Sequence, residues 1–97
     1  TMKNLTKERY LELKYFCQQY PEKKKRLNEH TRAGERARTD TLLIEIVAEG
    51  VDRKLAEYII KQVSTGIPYE KLEGCPCGRR QFYDKRNEFY RRLSEVH

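Results

Sequence analysis

The stretch Ile67 to Val96, IPYEKLEGCPCGRRQFYDKRNEFYRRLSEV, decides the fold. It reads as a short helix over Tyr69 to Glu73, a Gly/Pro/Cys turn, and a longer basic helix. Gly78 serves as N-cap of the long helix, and Pro76 two residues earlier holds the preceding chain extended. From Arg79 onward no residue breaks a helix. Phe82, Phe89, Leu93 and Val96 recur at helical steps and share one face. Tyr83 and Tyr90 run beside them. Gly74 closes the short helix, and Ile67 and Leu72 are placed to pack on Phe82 and Phe89.

This order is that of a helix-turn-helix, whose second helix enters the major groove of DNA. A reading helix meets base edges with its first turns. Arg79, Arg80, Gln81 and Asp84 are therefore the base-reading candidates, since Arg forks match guanine and Gln suits adenine. Lys85, Asn87, Arg91 and Arg92 lie further along and are assigned to phosphates. The bland alternative is an amphipathic terminal helix with a solvated basic face, the commoner case among small proteins. The agreement of turn chemistry, aromatic spacing and basic N-terminus favours the groove reader.

YEKLE followed by PCGRRQFYDKRNEFYRRL resembles the C-terminal half of phage-encoded Firmicute regulators, the RinA/ArpU-like late-transcription regulators and related short phage proteins. Their motif runs as an aromatic-Glu-x-Leu helix, a Pro-Cys-Ser/Gly turn, then Arg-Arg/Asp-x-Phe-Tyr-x-x-Arg. Their fold is similar to the last domain of bacterial sigma factors. The resemblance covers roughly the C-terminal third, is faint over Leu42 to Val63, and does not reach earlier residues. Gly78 stands where the usual cap is Ser, and the turn is one residue shorter. The resemblance implies sequence-specific binding of double-stranded DNA by a regulator of phage or mobile-element type. RNA polymerase is a further candidate partner.

Composition bounds the rest. Ninety-seven residues, 37% hydrophobic and 37% charged, suffice for one small domain with a modest helical core. No apolar run is long enough to span a membrane and no signal peptide is visible, so no membrane association and a cytoplasmic location are expected. Thr1 ahead of Met2 reads as a cloning remnant. The net charge of +6 is uneven: residues 40–73 hold four basic and seven acidic groups, and the segments on either side are basic. A basic periphery around an acidic middle suits a polyanion, against the reading of ordinary solubility charge. Three cysteines without a signal peptide point to reduced thiols. Cys75 and Cys77 form a C-x-C, and the further ligands a zinc site needs (Cys17, His30, His97) stand at no fixed spacing, so no metal and no cofactor are expected. Cys77 is expected to fill a small apolar slot before the long helix.

Asn4 or Thr6 caps a first helix reaching Tyr20, whose Tyr10, Leu13, Cys17 and Tyr20 repeat as a core or helix-pairing stripe. Pro21 opens a second helix, PEKKKRLNEH, whose cations Lys23, Lys24, Lys25 and Arg26 are a solvated surface or a DNA arm. Residues 31–41, TRAGERARTDT, lack large apolar side chains and read as a flexible linker or frayed helix, with Arg32, Arg36 and Arg38 available to nucleic acid. Asp40 or Thr41 caps LLIEIVAE, which Gly50 ends and whose Leu42, Leu43, Ile46 and Val47 form the apolar pairs. Asp52 caps RKLAEYIIKQV, with Leu55, Ile59 and Val63 on one face. No strand is expected.

The fold is thus expected to be all-α: a small helical bundle over residues 40–97 with a C-terminal helix-turn-helix, preceded by a separate N-terminal helical arm and basic linker over residues 1–39. That arm is expected to support a homodimer. No glycine-rich phosphate loop, HExxH or nucleophile–base grouping is present, so an enzyme is not expected. His30 and His97 read as bystanders. Two functions remain: a sequence-specific DNA-binding transcriptional regulator, or a non-enzymatic structural or interaction protein, such as a small phage packaging subunit or a partner of another regulator. Arg and Gln at the first turn of an exposed helix favour the first.

Overall fold

The computed structural model describes residues 5–97. The described residues form five α-helices and no strand: α1 (Lys7–Gln18), α2 (Tyr20–Lys25), α3 (Arg32–Val51), α4 (Ala56–Thr65) and α5 (Arg79–Val96), with one 3₁₀ turn at Tyr69–Lys71. The all-α bundle is as expected.

α1 begins where the Thr6 side chain accepts from the Arg9 N–H at 3.0 Å. Asn4, the alternative cap, lies outside the described residues, as do Thr1 and Met2. Leu13, Phe16 and Cys17 of α1 are buried in the same cluster as Ile44, Ile59, Phe82 and Phe89. α1 packs on α4 and α5, and Tyr10 meets Tyr90 edge-on with ring centroids 5.2 Å apart. The N-terminal helix is therefore no separate arm. The stripe that was to pair two chains faces the chain's own core.

The segment read as a flexible linker or frayed helix is ordered helix. Thr31 accepts from the Gly34 N–H at 3.1 Å and starts α3, which runs unbroken through the boundary drawn at residue 39. Its buried row is Gly34, Ala37, Thr41, Ile44, Ala48 and Val51, at steps of three and four. The absence of large apolar residues marks close packing, not a linker. A Cβ on Gly34 would sit 2.2 Å from the Glu29 carbonyl oxygen, so only glycine lets the chain before α3 approach this closely. Thr41 lies mid-helix and donates to the Ala37 carbonyl at 2.8 Å rather than capping anything. With α3 starting ten residues earlier, Ile44 and Ala48 face inward, Leu43 and Val47 are half-buried, and Leu42 and Ile46 are 55% and 58% exposed.

α3 passes through Gly50 to Val51, and Asp52 then accepts from the N–H groups of Lys54 (2.9 Å) and Leu55 (3.1 Å), turning the chain into α4. Gly66, at φ 77°, closes α4. Beyond it the structure departs from the expected short helix. Only Tyr69–Lys71 turn, as 3₁₀: the Lys71 N–H donates to the Pro68 carbonyl at 3.0 Å, and the chain leaves the turn at Leu72 with ψ 87°. The Tyr69 N–H donates to the Tyr83 hydroxyl at 3.0 Å, the Tyr69 hydroxyl donates to the Cys77 carbonyl, and Leu72 is buried. α4 and α5 are thus joined by a long ordered connection in place of a helix and a tight turn.

Leu55, Ile59, Phe82, Phe89 and Leu93 are buried as expected, and Tyr90 joins them. Val96, assigned to the same face, is 60% exposed in the last turn of α5.

Candidate nucleic-acid interface

The core fixes which side of α5 faces out. Phe82, Phe89 and Leu93 anchor one side. On the other, Arg80, Gln81 and Asp84 are exposed in the first two turns, and Asn87 and Arg91 continue the row half-buried. The steps 80, 84, 87 and 91 place a single ridge along the helix. Arg80 has no ion-pair partner among the described residues.

The remaining predicted residues are diverted. Arg79 is exposed but its Nε donates to Glu70 at 3.0 Å, and its guanidinium lies 5.1 Å from the Tyr83 ring centroid. It ties α5 to the 3₁₀ turn. Arg92 donates to the Gly50 carbonyl at 2.8 Å and pairs with Glu88 at 2.6 Å. It closes the C-terminal end of α3. Lys85 is half-buried and has no ion-pair partner among the described residues.

Arg86 was not singled out in the sequence. Its guanidinium lies 4.9 Å from the Tyr83 ring centroid and 5.9 Å from that of Tyr90, and it donates to the Asn87 side chain at 3.0 Å. Its Nε is buried without a partner among the described residues. The signal was available: Tyr83 and Tyr90 stand three residues before and four after Arg86, the helical spacing for contact.

The basic run of α2 works as a clamp. Lys23 pairs with Asp40 at 2.8 Å and covers the Phe16 ring at 4.3 Å. Lys24 pairs with Glu45 at 3.1 Å, and Tyr20 donates to the same carboxylate. Burial pushes the Glu45 carboxyl up, but the Tyr20 hydroxyl and the Lys24 ammonium together hold it below the usual range. Lys25 meets Glu22 only at 3.9 Å, with both side chains exposed. Arg38 donates to the Leu27 carbonyl at 2.9 Å. Of the run read as a solvated surface or a DNA arm, Arg26 is exposed and has no ion-pair partner among the described residues; it lies near Arg36 on a groove that Glu22 and Asp40 also line.

The three thiols differ. Burial pushes Cys17 up to about 12, leaving it an inert core thiol. Cys75 and Cys77 are half-buried with their sulfurs 4.0 Å apart. Burial, with Cys75 beside it, raises Cys77 to about 11.

No protein-family model, curated protein or solved structure matches the chain. Among the described residues, no helix is long and apolar enough to cross a membrane.

Proposed function

We propose that this protein is a sequence-specific DNA-binding regulator of phage or mobile-element type, of the RinA/ArpU-like kind that its last third resembles. The observation that carries the reading is the outward ridge of α5. The opposite side of that helix is locked into the core by Phe82 and Phe89, so Arg80, Gln81 and Asp84 are presented on a rigid element. Arg80 recognises guanine by its fork, Gln81 adenine, and Asp84 accepts from cytosine. Asn87 and Arg91, one and two turns on, meet the phosphates beside the groove. Arg79 and Arg92 are left out of the reading set, because each holds α5 to another part of the chain.

Selection from a random duplex pool by the full chain tests this. An enriched motif containing a guanine, lost with Arg80→Ala, supports the reading; a pool that stays random overturns it.

The second reading, an interaction module, draws on Leu42 and Ile46. They stand four residues apart and both are more than half exposed on α3. This pair, rather than the buried α1 stripe, is the face on which a second copy or another regulator would sit.

A further inference from the structure

We propose that the outer face of α3 is a self-association surface, on which a second copy of this chain packs its own α3 in the antiparallel direction. The inference rests on the apolar α3 face of the interaction-module reading and not on DNA binding by α5.

The inner row of α3 is packed from Gly34 to Val51. On the other side Thr39, Leu42, Ile46 and Glu49 are all exposed. They follow one another at the alternating three- and four-residue steps of a seam between two helices. Leu42 and Ile46, each more than half exposed, sit at its centre. Leu43 and Val47 flank it half-buried. The Thr39 hydroxyl donates to the Glu35 carbonyl of its own helix at 3.2 Å, so Thr39 needs no partner across the seam. Single apolar residues on a surface need no cover, but a pair one turn apart midway along the helix makes a strip that a second helix can cover.

The charges around the strip select its occupant and the direction of pairing. Arg38 and Glu49 are both exposed and lie about three turns apart, on the same flank of α3. With Leu42 of each copy set on Ile46 of the other, the two-fold axis passes at the level of Ile44. That axis keeps the flank on the same side in both copies. Arg38 of one copy then stands, along the helix axis, within about 1.5 Å of the level of Glu49 of the other. Glu49 has no ion-pair partner among the described residues. Arg38 has none either, and donates to the Leu27 carbonyl through one nitrogen, which leaves the rest of its fork free. By symmetry the pair forms twice, once on each side of the apolar centre. A parallel arrangement would set Glu35 on Glu35 and Glu49 on Glu49, like charge on like. A face whose own charges answer one another under a two-fold suits a copy of itself better than an unrelated chain.

Two apolar side chains per copy bury little area, so the dimer is weak and forms at tens to hundreds of micromolar chain. The test is sedimentation equilibrium of the full chain without DNA, from micromolar to hundreds of micromolar, at low salt. The expected result is a monomer–dimer equilibrium with a limiting mass twice that of the chain. Ile46→Glu should abolish the dimer and keep the helical circular dichroism of the parent, since the side chain is exposed. Glu49→Lys should weaken the dimer severalfold, and Glu73→Lys, the same change of charge on the connection before α5, much less. A parent that stays monomeric throughout overturns the proposal and leaves the α3 face to a different chain; DNA reading is untouched by that result, because no duplex is present. A dimer that Ile46→Glu leaves whole, or that Glu49→Lys and Glu73→Lys weaken equally, overturns it as well.

Discussion

The Arg92 guanidinium donates to the Gly50 carbonyl at 2.8 Å, so the last helix of the chain closes the C-terminal end of α3. A residue that looks like a phosphate contact in the sequence is thereby a structural one. A charged donor near the end of a helix satisfies a carbonyl that the helix leaves free and matches the helix dipole. Arg92→Ala should lower stability by about 1 kcal/mol, a value discounted for the partial exposure of the side chain. Urea denaturation checks it. DNA affinity of the folded variant should change little.

Gly34 and Gly50 should respond in opposite ways to alanine. At Gly34 the new Cβ would lie 2.2 Å from the Glu29 backbone oxygen, which cannot move without shifting the chain. Gly34→Ala should cost about 1–3 kcal/mol. At Gly50 the nearest atom is the Arg92 guanidinium at 3.5 Å, the end of a flexible side chain. There alanine should gain about 0.5–1 kcal/mol from helix propensity. Thermal melts of both variants, compared with the parent, read the difference in sign.

The Tyr20–Glu45–Lys24 cluster makes stability depend on pH. Glu45 has its folded pKa lowered, so its contribution is present above the ordinary carboxylate range and is lost as pH falls through the lowered value. Tyr20 has its pKa raised, by burial and then by Glu45, so its contribution is lost on the alkaline side, as pH rises past the ordinary tyrosine range. Glu45→Gln should therefore flatten the acid limb of a stability–pH curve. An acid limb of unchanged slope in that variant would show that other carboxylates govern it.

The sequence made some of this legible and hid some for a physical reason. The periodic aromatics of α5 and the Leu55, Ile59 and Val63 face of α4 show their buried sides directly, because large apolar side chains at helical steps have one stable place. α3 escapes the same reading. Its inward row is Gly34, Ala37, Thr41, Ile44, Ala48 and Val51, mostly small residues that allow close approach and give no hydrophobic signal. The exposed Leu42 and Ile46 then draw attention to the wrong side. The site was half legible for a related reason. Composition marks Arg79, Arg80, Arg91 and Arg92 alike, and the partners that separate them, Glu70 and the Gly50 carbonyl, lie 9 and 42 residues away in the chain. The Lys23 to Arg26 run is similar: Asp40 and Glu45, which occupy Lys23 and Lys24, come from another helix.

Fluorescence anisotropy of the full chain on its selected duplex and on a random duplex, at physiological salt, tests the central claim most directly. The parent should prefer the selected duplex, and Arg80→Ala should cost about 1–3 kcal/mol there while changing binding to random DNA much less. Equal binding of the two duplexes by the parent would contradict DNA reading by α5 and leave the interaction module in its place.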